Sequence, residues 1–226
     1  MRFPRIVGSL LSFACFLVAL LFCIAEIVAI GPRSLMQEFA VGAEMPYHQS
    51  WEAAYKTLSI SSSIKPNDAE LAFDMARISW WDAQDETDSR REAYLGRARK
   101  HLEKAVSQRP SWGRAWIELA NVYLQSDQPF EAKKSLVAGI KYVPYEGHSQ
   151  WMAMWTAFAV WDLLDWSEKQ LVMKVVEHVL EYGVGAWVID PAVHYGRESL
   201  IIDMIPPQSR SQRRLHYQLG RRGSTN

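Results

Sequence analysis

The sequence predicts an all-α chain: an N-terminal transmembrane helix, then a short α-solenoid of helix-turn-helix repeats closed by a C-terminal capping helix. Three observations predict it. Residues 6–25 carry no charge, and an alanine–leucine–proline spacing recurs three times in phase. Apolar residues downstream fall at i, i+3, i+4 and i+7, the period of one helix face. At 226 residues, the chain is one domain plus an added segment. Lys and Arg total 25 and Asp and Glu total 25, which argues against a general nucleic-acid binder. A hydrophobic content of 49% argues against disorder, and two cysteines build neither a disulfide scaffold nor a four-cysteine zinc site.

The first element is the span. A helix over the twenty residues Ile6 to Ala25 is about 30 Å long, the thickness of a bilayer core. A cleavable signal peptide has a shorter apolar region and a small-x-small site, and the late candidate here, Ala29-Ile30-Gly31, runs straight into Pro32. An uncleaved anchor fits better. Arg2 and Arg5 precede the span while Arg33, Glu38 and Glu44 follow it, which places the N-terminus in the cytoplasm by the positive-inside rule. Cys15 and Cys23 both lie in the span, so everything downstream is thiol-free, as suits an oxidising compartment. The expected divisions are a cytoplasmic 1–5, a transmembrane helix 6–30, a linker 31–46, a repeat domain 47–205 and a basic tail 206–226.

The repeat follows. Ala54, Ala98 and Ala132 precede Pro66, Pro110 and Pro144 by twelve residues each, and Leu58, Leu102 and Leu136 follow the alanines by four. Alanine and leucine at i and i+4 share a helix face, the small residue admits a neighbouring helix, and the proline ends the segment. After Pro110 the stripe is Trp116, Leu119, Ala120 and Tyr123; after Pro66 the same offsets hold Ala72, Met75, Ala76 and Ser79. In these residues the chain resembles the tetratricopeptide repeat (TPR) family, whose 34-residue unit carries Trp, Leu, Gly or Ala, Tyr, Ala and Pro. Pro110 to Pro144 is 34 residues. Pro66 to Pro110 is 44, with the surplus in the acid-rich stretch 82–92, expected as a longer loop or helix extension. Gly139 stands where the family prefers alanine, and Gln150 where tryptophan would stand.

Beyond the repeats, Ser167 and Gln170 form an expected capping box ahead of Leu171, Val172, Val175, Val176, Val179 and Leu180, with Gly183 as the stop. A short helix within 186–205 is expected to cap the stack. Arg210, Arg213, Arg214, Arg221 and Arg222, with no acid among the last twenty residues, read as a basic tail, either solvated or binding anionic headgroups or an acidic polymer.

Candidate chemistry is sparse. No GxSxG, HExxH, CxxC or Walker-type loop occurs, and Gly183 to Val188 lacks the last glycine of a dinucleotide fingerprint. The six histidines have no metal-ligand spacing and read as solvated or satisfied side chains. Asp82, Asp85 and Asp88 lack the loop glycine and closing glutamate of an EF-hand, and Asp190 with His194 lacks a nucleophile. The expectation is therefore a chain that is not an enzyme and takes no metal or other cofactor. Trp80, Trp81, Trp112, Trp151 and Trp155 are the candidate partner-binding groove, against the alternative that they pack the core. Trp80 and Trp81 are the better candidates, because adjacent helix positions cannot both face one core.

The architecture is similar to that of small anchored TPR accessory proteins of bacterial exopolysaccharide biosynthesis and export. What that resemblance implies is a protein-binding scaffold in the inner membrane with its repeat domain in the periplasm. Its partners would be other membrane or periplasmic proteins of an envelope assembly complex, with possible polysaccharide contact and no nucleic acid. An assembly factor for secretion, pili or cytochrome maturation is the alternative, and an enzyme with a cryptic site the remaining one.

Overall fold

In the computed structural model the N-terminal apolar stretch is part of one long helix, α1 (Phe3–Ala40). The structure describes residues 3–40, 47–85, 88–143, 147–182, 184–205 and 207–223. Within these, every regular element is helical. Two units, Met1–Gln108 and Arg109–Asn226, each enclose a core of their own.

Helix α1 corrects two expected boundaries. The span was expected to end at residue 30 and a linker to follow, yet the helix runs through Gly31 and Pro32 to Ala40. An interior proline costs a helix about 3 kcal/mol. Here the far side of that proline is held by tertiary contacts: Met36 is buried, and the Phe39 ring meets Trp51 edge-on at 5.8 Å and Trp81 at 4.6 Å. Arg33 adds a side-chain bond, its Nε donating to Asp74 Oδ2 at 2.7 Å. The segment Leu11–Phe39 is long and apolar enough to cross a membrane.

The rest of unit 1 is α2 (His48–Ile64), α3 (Ala69–Asp82), a 3-10 turn at Ala83–Asp85 and α4 (Asp88–Gln108). Asp68 caps α3, its carboxylate accepting from the N–H groups of Glu70 and Leu71 at 2.9 and 3.1 Å. Ala29 and Met36 of α1 join Trp51, Ala54 and Leu58 of α2 and Leu71, Met75 and Ile78 of α3 in one core cluster. Ala98 and Leu102 of α4 are buried as well, whereas Pro66 and Pro110 are exposed in turns. Of the two forms expected for the stretch 82–92, a longer loop or a helix extension, the described residues show the second, a 21-residue α4. Asp82 ends α3 and α4 has begun by Asp88, while residues 86 and 87 lie outside the described set.

Unit 2 holds α5 (Gly113–Gln125), α6 (Pro129–Ile140), α7 (Gly147–Ala159), α8 (Trp166–Tyr182), α9 (Ala186–His194) and α10 (Arg210–Gly223), with 3-10 turns at Trp161–Leu163, Glu198–Leu200 and Ile202–Met204. Leu119, Ala120, Ala132 and Leu136 are buried; Trp116 and Tyr123 are half-buried, and the Trp116 indole N–H donates to the Pro110 carbonyl at 2.8 Å. Pro144 lies outside the described residues. The α5–α6 turn is three residues, with Asp127 in the left-handed region at φ 55°, a conformation aspartate tolerates.

Gly139, the departure from the repeat pattern, has a steric cause. A Cβ there would stand 2.6 Å from Trp116 Cβ and 2.9 Å from the Gly113 carbonyl oxygen, so α5 and α6 approach too closely for alanine. Two further corrections concern caps and tail. The capping box of α8 is Asp165 and Glu168, not Ser167 and Gln170: the Asp165 carboxylate accepts from the Glu168 N–H at 2.9 Å and Glu168 Oε2 from the Asp165 N–H at 2.7 Å. Gly183, the expected stop, lies outside the described residues. The basic stretch expected as a tail is helix α10, with Leu215 only 3% exposed in the unit 2 core.

Two glycine substitutions should therefore move stability in opposite directions. Gly139→Ala should destabilise by about 1–3 kcal/mol through overpacking. Gly96→Ala, in α4 with nothing within 4 Å of the added methyl, should stabilise by about 1 kcal/mol through helix propensity. Urea unfolding of the full chain in detergent micelles, followed by circular dichroism, reads both.

Candidate functional site

The densest polar cluster in unit 1 forms where α2, α3 and α4 meet. Its centre is Asp82, a carboxylate 1% exposed at the end of α3. His48 Nδ1 lies 2.6 Å from Asp82 Oδ1, and Arg97 Nη2 3.5 Å from Asp82 Oδ2. The same guanidinium donates through Nη1 to Glu52 Oε1 at 2.8 Å and through Nε to Ser79 Oγ at 3.0 Å. Its two faces are covered, with its carbon 3.9 Å from the Tyr55 ring centroid and 4.6 Å from that of Tyr94. Tyr55 reaches onward, its hydroxyl 2.8 Å from His101 Nε2.

Burial dominates the protonation of this cluster. It raises the Asp82 carboxyl above its ordinary value, against the opposing pull of His48 and then Arg97. His101 is lowered from 6.5 to about 4, first by burial and then by Lys104, Lys100 and Arg97. The neutral His101 ring shares one hydrogen bond with the Tyr55 hydroxyl at Nε2, its direction set by the ring tautomer.

His48, Glu52 and Asp82 bring three ligand atoms within 4.8 Å of one another, the spacing of a divalent-cation site. The donor set does not fit one. Arg97 already sets a fixed positive charge against both carboxylates, and the His48 nitrogen nearest the others is engaged with Asp82 at hydrogen-bond distance. The arrangement is a charge network that joins three helices and presents polar and aromatic edges at one end of unit 1.

The expected aromatic groove divides between the units. In unit 1, Trp80 and Trp81 are both half-buried, with ring centroids 4.5 Å apart. Trp81 turns onto the core through Phe39, and Trp80 packs on Trp81. Neither indole N–H has a hydrogen-bond acceptor among the described residues. In unit 2, Trp151 is 37% exposed and meets His148 at 5.8 Å and Trp155 at 6.4 Å. Trp155 continues to His194 at 5.2 Å and Tyr195 at 6.0 Å. Trp112 is half-buried ahead of α5 under the Arg109 guanidinium at 4.9 Å. Asp190, weighed with His194 as an acid–base pair, instead receives Arg214 at 3.0 and 2.6 Å and Gln218 at 3.0 Å, and so clamps α10.

Sequence reasoning passed over the charge network, though its spacing was visible. His48, Glu52 and Tyr55 fall at i, i+4 and i+7, and Tyr94, Arg97 and His101 at i, i+3 and i+7, two polar stripes of helical period. Asp82, expected within an acid-rich loop or helix extension, is instead buried, while the side chains of Asp85 and Asp88 lie outside the described set.

Removing Arg97 should expose the cost of that burial. Arg97→Met should destabilise unit 1 by about 2–3 kcal/mol, less than a fully buried pair because Arg97 and Glu52 keep some solvent contact, and adding Asp82→Asn should recover most of the loss. His101 supplies a pH signature. Its folded pKa lies below its unfolded one, so as pH falls from 6.5 to about 4 the unfolded chain takes up the proton first and stability drops across that window. His101→Gln, which keeps an acceptor for Tyr55, should flatten this dependence in denaturant titrations at pH 7, 5.5 and 4. No protein-family model matches the chain, and no curated protein matches it.

Proposed function

We propose that this chain is a membrane-anchored adaptor of TPR-like helical-repeat type that binds other proteins of a bacterial envelope assembly complex. The observation that carries the reading is the two-part character of α1. The described residues from Leu11 to Ile24 are all exposed and apolar apart from Ser12, and from Ala25 the same helix turns one face into the core of unit 1. A soluble chain has no use for so long an uncovered apolar helix. The flanking charges support a cytoplasmic N-terminus, inner-membrane insertion and a periplasmic repeat domain.

Binding fits better than catalysis, because the buried charges described in unit 1, Asp82, Arg97 and Asp74, are engaged in ion pairs that join helices. Trp80 and Trp81 lie next to Asp82 at the end of unit 1 remote from the apolar half of α1, which makes them the proposed contact surface. Among envelope complexes, polysaccharide biosynthesis or export is the first assignment, on the architectural resemblance. A secretion, pilus or cytochrome-maturation complex is the alternative.

Two measurements test this. Alkaline phosphatase fused after the last residue should be active, and a fluorescent protein that matures only in the cytoplasm should stay dark; the reverse pattern overturns the topology. Affinity capture from solubilised membranes should return polysaccharide synthase or export subunits. Trp80→Ala alone, which leaves the Phe39–Trp81 contact in place, should cut that capture by about tenfold, the loss of a binding hot spot, with helical content unchanged. Secretin, pilin or haem-maturation subunits in the capture would move the assignment to the alternative.

A further inference from the structure

We propose that the turn between α2 and α3 sits in the headgroup layer of the bilayer, so that unit 1 is mounted flush on the membrane with no linker between. The proposal rests on the membrane-anchor reading above and adds the position of the domain relative to the lipid.

The first argument is length. Residues from Ile6 to Ile24 rise about 28 Å as a helix, which matches a hydrocarbon core of about 30 Å with nothing to spare. Docking starts at the next residue. Ala25 and Ala29 are fully buried, and Pro32 and Met36 continue the same face. The domain therefore begins where the hydrocarbon ends.

The second argument is what lies level with that boundary. Ser61 Oγ donates to the Ala25 carbonyl at 2.8 Å in a buried contact. The Glu26 carboxylate is held by Arg33 at 2.9 Å and by the Lys65 ammonium, which also stands 5.9 Å from the Phe22 ring centroid. Residues 61–65, the end of α2 and the residue that caps it, are thus alongside residues 22–26 of α1. Phe39 meets Trp51 at the other end, so α2 runs antiparallel to α1 and its last turn points toward the apolar half. Pro66 and Asn67 follow, both exposed, and the Gln108 amide donates to the Pro66 carbonyl at 3.4 Å, which brings the end of α4 to the same level.

The third argument is chemistry. This end carries Lys65 paired with Asp68 and Glu26, exposed Pro66 and Asn67, and Ile60, 56% exposed one turn above. Paired charges beside apolar side chains suit a zwitterionic headgroup layer. They do not suit hydrocarbon, which would strand the charges.

Depth measurements test the mounting. The full chain is placed in phosphatidylethanolamine–phosphatidylglycerol bilayers and carries one nitroxide at a time: on native Cys15 with Cys23→Ser, or on Asn67→Cys or Gln84→Cys with both native cysteines changed to serine. Ser63→Cys, exposed one turn before Asn67, is a second reporter should the first disturb the turn. Collision rates with oxygen and with a water-soluble nickel chelate give depth. The expected order is hydrocarbon for 15, headgroup layer for 67 and 63, and bulk water for 84. If 15 is in hydrocarbon while 67 and 63 match 84 in water, the flush mounting is wrong and the anchor stands. If 15 is itself in water, the anchor reading falls and the mounting with it.

Discussion

Unit 1 depends on one constraint: the second half of α1 must serve as the wall of a core made by helices that follow it in sequence. Ala25 and Ala29 let α2 approach closely enough for Ser61 to reach a backbone carbonyl of α1. Leu58 and Ala54 then stack on the same groove, and α3 closes it with Leu71, Met75 and Ile78. Small residues matter here for the same reason they matter between membrane helices, since they set the interaxial distance. The salt bridge from Arg33 to Asp74 ties the third helix to the first, and burial raises the Asp74 carboxyl despite that partner. A shift of α1 by one residue would rotate Ile24 or Ile30 toward the core and carry Ala25 and Ala29 away from it.

At the opposite end of unit 1 the ordering force is electrostatic. Three helices converge on a carboxylate with almost no water contact, and such a group is tolerated only when its neighbours satisfy it. His48 comes from the start of α2 and Arg97 from the middle of α4, so both helices are indexed to α3. The tyrosines on either side of the guanidinium restrict its rotation and keep its fork aimed at Glu52 and Ser79.

Much of this was legible in the sequence, and the boundary lies between intrinsic and relational properties. The long apolar helix was readable because its lack of charge is a local property, and the six alanines and leucines of the recurring spacing were readable because small and large residues at i and i+4 mark a buried face. The linker expected over 31–46 is helical as far as Ala40 because Phe39 and Met36 are held by helices distant in sequence, and those contacts offset the cost of Pro32. Asp82 looked like its acidic neighbours because its burial depends on His48 and Arg97, 34 and 15 residues away. Asp165 was overlooked because a serine two residues on also fits a cap, and the choice between them is geometric. The tryptophans kept both meanings: Trp81 serves the core, Trp151 stands partly in solvent, and Trp80 lies between.

The docking of α10 has a consequence in time. Leu215 belongs to the same cluster as Ile117 and Val176, so the core of unit 2 contains a residue synthesised after all its other members. Unit 1 draws its core from residues that have all been made once Gln108 is in place. During synthesis the first unit can close while the second still shows an apolar gap beside Ile189 and Val193, sealed only when the arginine-rich helix arrives and Arg214 finds Asp190. The charges of that last segment keep it soluble until Leu215 and Leu219 have a surface to cover.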